Sequence, residues 1–233
     1  MPIHRAASGF WESEDLAKVP SLGIESAKLD DCVRYFHEAR FKSIFGSPCF
    51  GFEERNLNFL TRIPSATILW FWDVQLDDVD GLYELRDLES VGILPKHPGI
   101  DYSRFPKLAK ATITWNKRDT NIAKSSITTF YLWHFNPRSK SFAEVQIPKG
   151  AREVHLTWFN QASLDEFPIL PDLVNLELHR NRNLHDLSLL PRIAPNLKRL
   201  IITTCPKLKD FSGIVDHPAL DLAIVSGKRV RDR

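Results

Sequence analysis

The sequence predicts an α/β repeat solenoid in which each coil adds one short strand to a single parallel sheet. A pattern of apolar residues at positions 1, 4 and 6 starts eight times, at spacings of 19 to 24 residues. Breaks that contain proline precede most of these starts. Between them, apolar residues recur at every third position, which is typical of a short 3-10 or extended return arm. The copies start at Ala66, Leu88, Leu108, Ile127, Ala151, Leu173, Leu197 and Leu220.

Each copy predicts one strand whose second and third apolar residues point into the core, because side chains alternate along a strand. The clearest copies are those that start at Leu173 and Leu197. The predicted strands centre on Leu69, Val91, Ala111, Phe130, Val154, Leu176, Leu200 and Ala223.

The two ends of the chain follow the repeat less closely. Residues 1–40 are predicted to be an N-terminal cap, which the end of a solenoid core requires; residues 29–36 have helical apolar spacing. Residues 41–233 are predicted to form the solenoid of about eight repeats. Within it, residues 41–65 are a degenerate repeat that starts near Phe41 with Ile44 and Cys49. The basic tail of Lys228, Arg229, Arg231 and Arg233 is predicted to be a solvated, frayed end.

The repeat resembles the leucine-rich-repeat family, whose pattern is LxxLxLxx(N/C)xL. Asn181 and Cys205 stand where that family places its ladder Asn or Cys, and Asn116 matches in another copy. The resemblance covers residues 66 onward and is most specific from Leu173 to Cys205. It implies a horseshoe with one parallel concave sheet and short 3-10 or extended convex arms. It also implies that Cys205 is a small buried filler.

The alternation assigns large aromatic side chains to the exposed concave face. Five of the six tryptophans fall on or beside it, and only Trp11 does not. Gly92, Leu94 and Thr112 are assigned to the same face. Exposed tryptophan and tyrosine are enriched in binding hot spots, although neighbouring aromatics can also cover one another and stiffen a sheet. The predicted partner-binding residues are Trp70, Trp72, Asp73, Trp115, Tyr131, Trp133, His134, His155, Trp158, Glu177, His179 and Arg180.

No catalytic residue, metal ligand set or cofactor is predicted. HExxH, GxSxG and glycine-rich phosphate-loop motifs are absent from the sequence. His155 and Glu177 are expected to be lateral neighbours about 5 Å apart. They could form a metal half-site or an acid/base pair, but a hydrogen-bonded surface pair is the simpler interpretation. Glu153 and Arg199 share this surface.

These observations favour a non-catalytic protein-binding module over an enzyme. The family resemblance extends the prediction to an immunity protein whose partner is a toxin domain. A carbohydrate-binding protein that stacks sugars on the tryptophan row is the alternative. Nucleic acid is disfavoured because the net charge is only +2 and no basic groove accompanies the aromatics. Three cysteines without a CxxC pair and the lack of an apolar leader or membrane span predict a cytoplasmic protein with no membrane partner.

Overall fold

The computed structural model describes residues 3–14 and 19–232. The chain forms two compact units, residues 1–121 and residues 122–233. Each unit is built on an open, mostly parallel sheet with few helices, in which strand order follows chain order. No helix in the described part of the chain is long and apolar enough to cross a bilayer.

The first unit contains seven of the described strands. β1 and β2 form an antiparallel hairpin, β2 pairs antiparallel with β3, and β3 to β7 are parallel. The helix α1 (Leu29–Glu38) lies between β3 and β4, as the apolar spacing predicts. The strands are β1 (Ile3–Arg5), β2 (Trp11–Ser13), β3 (Ser21–Gly23), β4 (Ser43–Gly46), β5 (Ile68–Gln75), β6 (Ser90–Lys96) and β7 (Lys110–Thr114).

The second unit contains the other six described strands. β8 to β12 are parallel, and β13 pairs antiparallel with β12. Two helices of four residues, α2 (Leu190–Ile193) and α3 (Ser212–Val215), lie in the connections. The strands are β8 (Thr129–Trp133), β9 (Glu153–Thr157), β10 (Asn175–His179), β11 (Arg199–Thr203), β12 (Leu222–Val225) and β13 (Lys228–Asp232).

The predicted strand register is confirmed within each unit. In the first, Leu69 pairs with Val91 and Val91 with Ala111. In the second, the predicted centres align one with the next from Phe130 on β8 to Ala223 on β12. All 24 apolar positions of the eight copies are buried. The core of each unit is therefore the stack of these side chains beneath its sheet, as the repeat pattern indicates.

The return arms are short, as the period of three predicts. The first unit has 3-10 turns at Asn58–Arg62, Asp80–Glu84 and Tyr102–Arg104, and the second has one at Ile122–Lys124. Neighbouring arms come close enough that Gly213 faces backbone directly: a Cβ placed there would lie 2.2 Å from the Leu187 carbonyl oxygen. Only glycine fits such an approach without moving an arm.

Asn181 joins neighbouring coils of the second unit through the backbone. Its side chain is fully buried, and Nδ2 donates to the carbonyl of Gln161 at 2.8 Å. Its Oδ1 accepts from the amides of Asn183 and Leu184. Cys205, at the position in the next repeat that matches Asn181, is 4% exposed. A buried polar side chain here forms hydrogen bonds with backbone groups that the irregular loop would otherwise leave without partners.

Several sequence predictions are wrong in detail. The basic tail is not a frayed end: it forms β13, and Arg231 is buried with Nη1 donating to the carbonyls of Ile214 and Val215 at 2.8 and 2.7 Å. Those carbonyls end α3 and need donors. Arg233 lies outside the described residues. Cys49, assigned to the degenerate repeat, is exposed and does not reach the core.

Candidate binding face

The solvent side of β8 to β11 carries the second unit's predicted binding residues. In each of these strands burial alternates strictly, and the outward residues are half-buried. We call this surface the outward face. Its predicted members on the strands or directly after them are Tyr131, Trp133, His134, His155, Trp158, Glu177, His179 and Arg180.

Three of these residues form a stacked ladder across consecutive strands. The ring of His134 stacks on the indole of Trp158, with centroids 4.7 Å apart and planes 1° from parallel. The guanidinium of Arg180 lies 4.7 Å from the Trp158 ring centroid. Because the strands lie in the order β8, β9, β10, His134 and Arg180 approach Trp158 from opposite sides. Trp133 adds an edge contact to Trp158 at 5.6 Å.

The ladder residues share an uncommon backbone conformation. His134, Trp158 and Arg180 each follow the last residue of a strand and have φ of 59°, 56° and 58°. Thr204 and Ser226 have positive φ directly after β11 and β12, and Asp73 has positive φ at a register shift within β5. A side chain with a Cβ is disfavoured in this left-handed region by about 1–2 kcal/mol. The chain thus turns at a strained corner after five of the six described strands of the second unit, β8 to β12, and a tryptophan and an arginine occupy two of these corners.

A second group of contacts surrounds the charged residues of the outward face. Glu177 on β10 is 16% exposed and accepts from Arg199 Nη1 at 3.0 Å. Its Oε2 lies 3.0 Å from His179 Nε2 and 3.7 Å from His155 Nδ1. The predicted proximity of His155 and Glu177 is confirmed, and His179 joins them. We call Glu153, His155, Glu177, His179 and Arg199 the charged cluster.

Tyr131, on β8, contacts two residues of the charged cluster. Its ring stacks on His155 with centroids 4.0 Å apart, and its hydroxyl donates to Glu153 at 2.7 Å. Burial, together with the Glu153 carboxylate, raises the pKa of Tyr131 well above its usual value. Burial lowers the pKa of His155, although Glu177 and Glu153 act in the opposite direction. Tyr131 is therefore neutral at neutral pH, and its phenol keeps its donor hydrogen.

The first unit holds its own aromatic group, which is largely self-covering. Trp72 on β5 stacks on Phe45 of β4 at 5.9 Å and meets the edge of Phe50 at 5.7 Å. Phe50 in turn contacts Trp11. The assignment of Trp11 away from the other tryptophans is therefore wrong. The signal that could have found this group is the degenerate repeat at residues 41–65, whose strand β4 brings Phe45 beside Trp72.

The remaining predicted residues of the first unit differ in exposure. Trp70 lies flat over Gly92, where a Cβ would come within 2.1 Å of its indole. That cover explains why Gly92 is buried, and Thr112 and Leu94 are buried as well at 2% and 5% exposure. The predicted exposure of these three residues is wrong, and for Gly92 the reason is the Trp70 side chain that covers it. Asp73 is exposed at a register shift in β5, and Trp115 is half-buried directly after β7.

Cys32 and Cys205 are buried thiols whose reactivity is low. Burial raises the pKa of the Cys205 thiol, so the thiolate that a nucleophile needs is disfavoured. Burial likewise raises the pKa of Cys32, which lies on the buried face of α1. These two thiols behave as small apolar side chains.

No family model matches the chain. No curated protein sequence matches it either.

Proposed function

We propose that the chain is a non-catalytic protein-binding module of the leucine-rich-repeat type, and that its partner docks on the outward face of the second unit. The repeat assignment is supported by the in-register parallel strands and by the buried Asn181 that bonds to the neighbouring coil. In this proposal the strands line the concave side of a horseshoe. The family resemblance extends the proposal to an immunity role in which the partner is a toxin domain.

The observation that carries the proposal is the stacked ladder with its neighbour Trp133. Tryptophan, tyrosine and arginine are the residue types most enriched in binding hot spots. Here Trp158 is held between His134 and Arg180, and Trp133 contacts its edge. Side chains already held in one conformation lose little entropy when a partner binds. The ladder is therefore a rigid surface suited to the centre of an interface.

The charged cluster supplies the polar part of such an interface. Glu177 and Arg199 are paired at 3.0 Å, and the two histidines are 19% and 21% exposed. Mixed charges beside partly exposed aromatics are typical of the boundary between the core and rim of a protein interface. Charges of both signs give a docked protein a fixed register, which a uniformly charged patch does not.

The strained corners also favour a binding role over a purely structural one. Glycine or asparagine would occupy a left-handed corner at lower energetic cost than tryptophan or arginine. Trp158 and Arg180 occupy such corners at φ of 56° and 58°. Strain of this kind is concentrated at functional sites, because the surrounding fold holds it in place.

The same stack counts against sugar binding by Trp158. A pyranose ring binds to a free indole face, whereas His134 and Arg180 each cover one face of this indole. A sugar would have to displace one of them and lose its contact. A protein partner can instead use the exposed edges of the ladder and the adjoining charged cluster.

Parallel affinity capture from the native host tests the proposal. The immobilised wild-type chain, Trp133→Ala and Ile169→Ala are compared by quantitative mass spectrometry. Ile169 is the matched control, because it is an apolar side chain of the same unit that is 57% exposed and lies outside the strands. We expect at least one protein to be retained by the wild type and by Ile169→Ala and to be lost from Trp133→Ala. Equal capture by all three chains would contradict the proposal.

A further inference from the structure

Three side chains of the charged cluster point their ligand atoms at one another. His155 comes from β9, and Glu177 and His179 come from the next strand, β10. Glu177 Oε2 lies 3.0 Å from His179 Nε2 and 3.7 Å from His155 Nδ1. One ligand atom from each residue lies within 4.8 Å of the other two. An ion held by four ligands at 2.0–2.1 Å keeps its ligand atoms about 3.3 Å apart. The two distances from Glu177 Oε2, 3.0 and 3.7 Å, lie on either side of that value.

The atoms that point away from this centre contact other groups. His179 Nδ1 lies 2.7 Å from Thr203 Oγ1, a hydroxyl that can accept the Nδ1 hydrogen when an ion takes the place of the proton between Nε2 and Glu177. Arg199 holds Glu177 by Oε1, so Oε2 stays turned inward. His155 Nε2 lies 2.9 Å from Glu153 Oε1, close but away from the ideal line of a hydrogen bond. Metal-binding histidines are commonly oriented by an acceptor on the ring nitrogen that does not bind the ion, and Thr203 Oγ1 is in place to do this for His179.

We propose that His155, Glu177 and His179 bind one divalent transition-metal ion of the Zn²⁺ type. Two imidazoles and one carboxylate form a donor set that suits zinc and its neighbours and does not suit Mg²⁺ or Ca²⁺, which take oxygen ligands.

The site keeps at least one coordination position open to solvent. The three side chains are 19%, 16% and 21% exposed, so the ion lies at the surface of the outward face and not in the core. Three protein ligands leave the fourth tetrahedral position for water or for another donor. The inference does not depend on the proposed partner, because the ligands all come from this chain.

Isothermal titration with ZnCl₂ tests the inference on protein first freed of metal with a chelator, at pH 7.5. We expect one site per chain with a dissociation constant of about 10 µM or tighter in the wild type. Separate His155→Gln and His179→Gln variants should each weaken binding at least tenfold. His185→Gln is the matched control, since His185 is an exposed histidine of the same unit outside the site, and it should bind as the wild type does.

Two results would overturn the inference. One is the absence of saturable binding below about 1 mM in the wild type. The other is wild-type affinity in either site variant that circular dichroism shows to be folded. If a variant does not fold, the Co²⁺-loaded wild type decides: intense visible absorption of a four-coordinate ion supports the site, and the weak absorption of hydrated Co²⁺ contradicts it.

Discussion

Thr204 is the position at which the strain of the strand corners can be measured most cleanly. It follows β11 with φ of 56°, and its side chain is exposed. Replacing it with glycine removes the Cβ that disfavours this conformation, a gain of about 1–2 kcal/mol. The greater freedom of glycine in the unfolded chain takes back about 0.4–1 kcal/mol. Thr204→Gly should therefore raise the free energy of unfolding by up to about 1.6 kcal/mol, with a central value of about 0.8 kcal/mol.

Thr157→Gly is the matched control for this change. Thr157 is the last residue of β9, so it has the same side chain in an extended strand of the same unit. No strain is relieved there, and the variant should lose about 1 kcal/mol. Equilibrium unfolding in urea, followed by tryptophan fluorescence, measures both. If Thr204→Gly were destabilised as much as Thr157→Gly, the strand corners would not be strained. Backbone strain at Trp158 and Arg180 would then no longer support a binding role for the outward face.

Three further predictions follow from burial, close approach and charge. Leu176→Ala opens a cavity in the core and should lower the free energy of unfolding, measured by urea denaturation, by about 2–5 kcal/mol. Asn175→Ala, on the outward side of the same strand, should change it by under about 1 kcal/mol. Equal losses would contradict the alternation of buried and outward side chains. Gly213→Ala should lower the melting temperature strongly, because its Cβ would meet the Leu187 carbonyl at 2.2 Å, and an unchanged melting temperature would refute that close approach. Burial raises the pKa of Asp119 to about 7, above its value of about 4 in the unfolded chain, so the stability that the protonated carboxyl contributes is complete below about pH 4 and is lost as the pH rises through 7, by at most about 4 kcal/mol. Asp119→Asn should therefore lose less free energy of unfolding than the wild type between about pH 5 and pH 8. Identical losses in the two proteins would contradict the raised pKa.

The sequence predicts the sheet register because that information is local. Apolar residues two apart, such as Leu176 and Leu178, must share one face of any strand that contains them. The copies align because the same spacing recurs, so the lateral neighbours of Leu176 on β9 and β11 follow directly. The predicted proximity of His155 and Glu177 depends on nothing else.

The alternation of side chains along a strand does not predict which neighbouring groups a long side chain will contact. The alternation places Trp70 and Gly92 on the same face, but not the indole of one over the backbone of the other. It places His179 on the outward face, but its turn toward Glu177 depends on the hydrogen bond to Thr203. The strand β13 was missed because its charged residues suggest a solvated tail, whereas Arg231 bonds to the end of α3.

The affinity of Trp133→Ala for the captured partner tests the central claim most directly, when its melting temperature is measured beside it. Trp133 lies on the outward side of β8, meets the edge of Trp158 at 5.6 Å, and is not one of the side chains buried beneath the sheet. We expect binding to weaken by about 2 kcal/mol, some thirtyfold, with little change in melting temperature. A lowered melting temperature with unchanged affinity would instead show that the aromatic residues serve the stability of the sheet, and would exclude the outward face as the binding site.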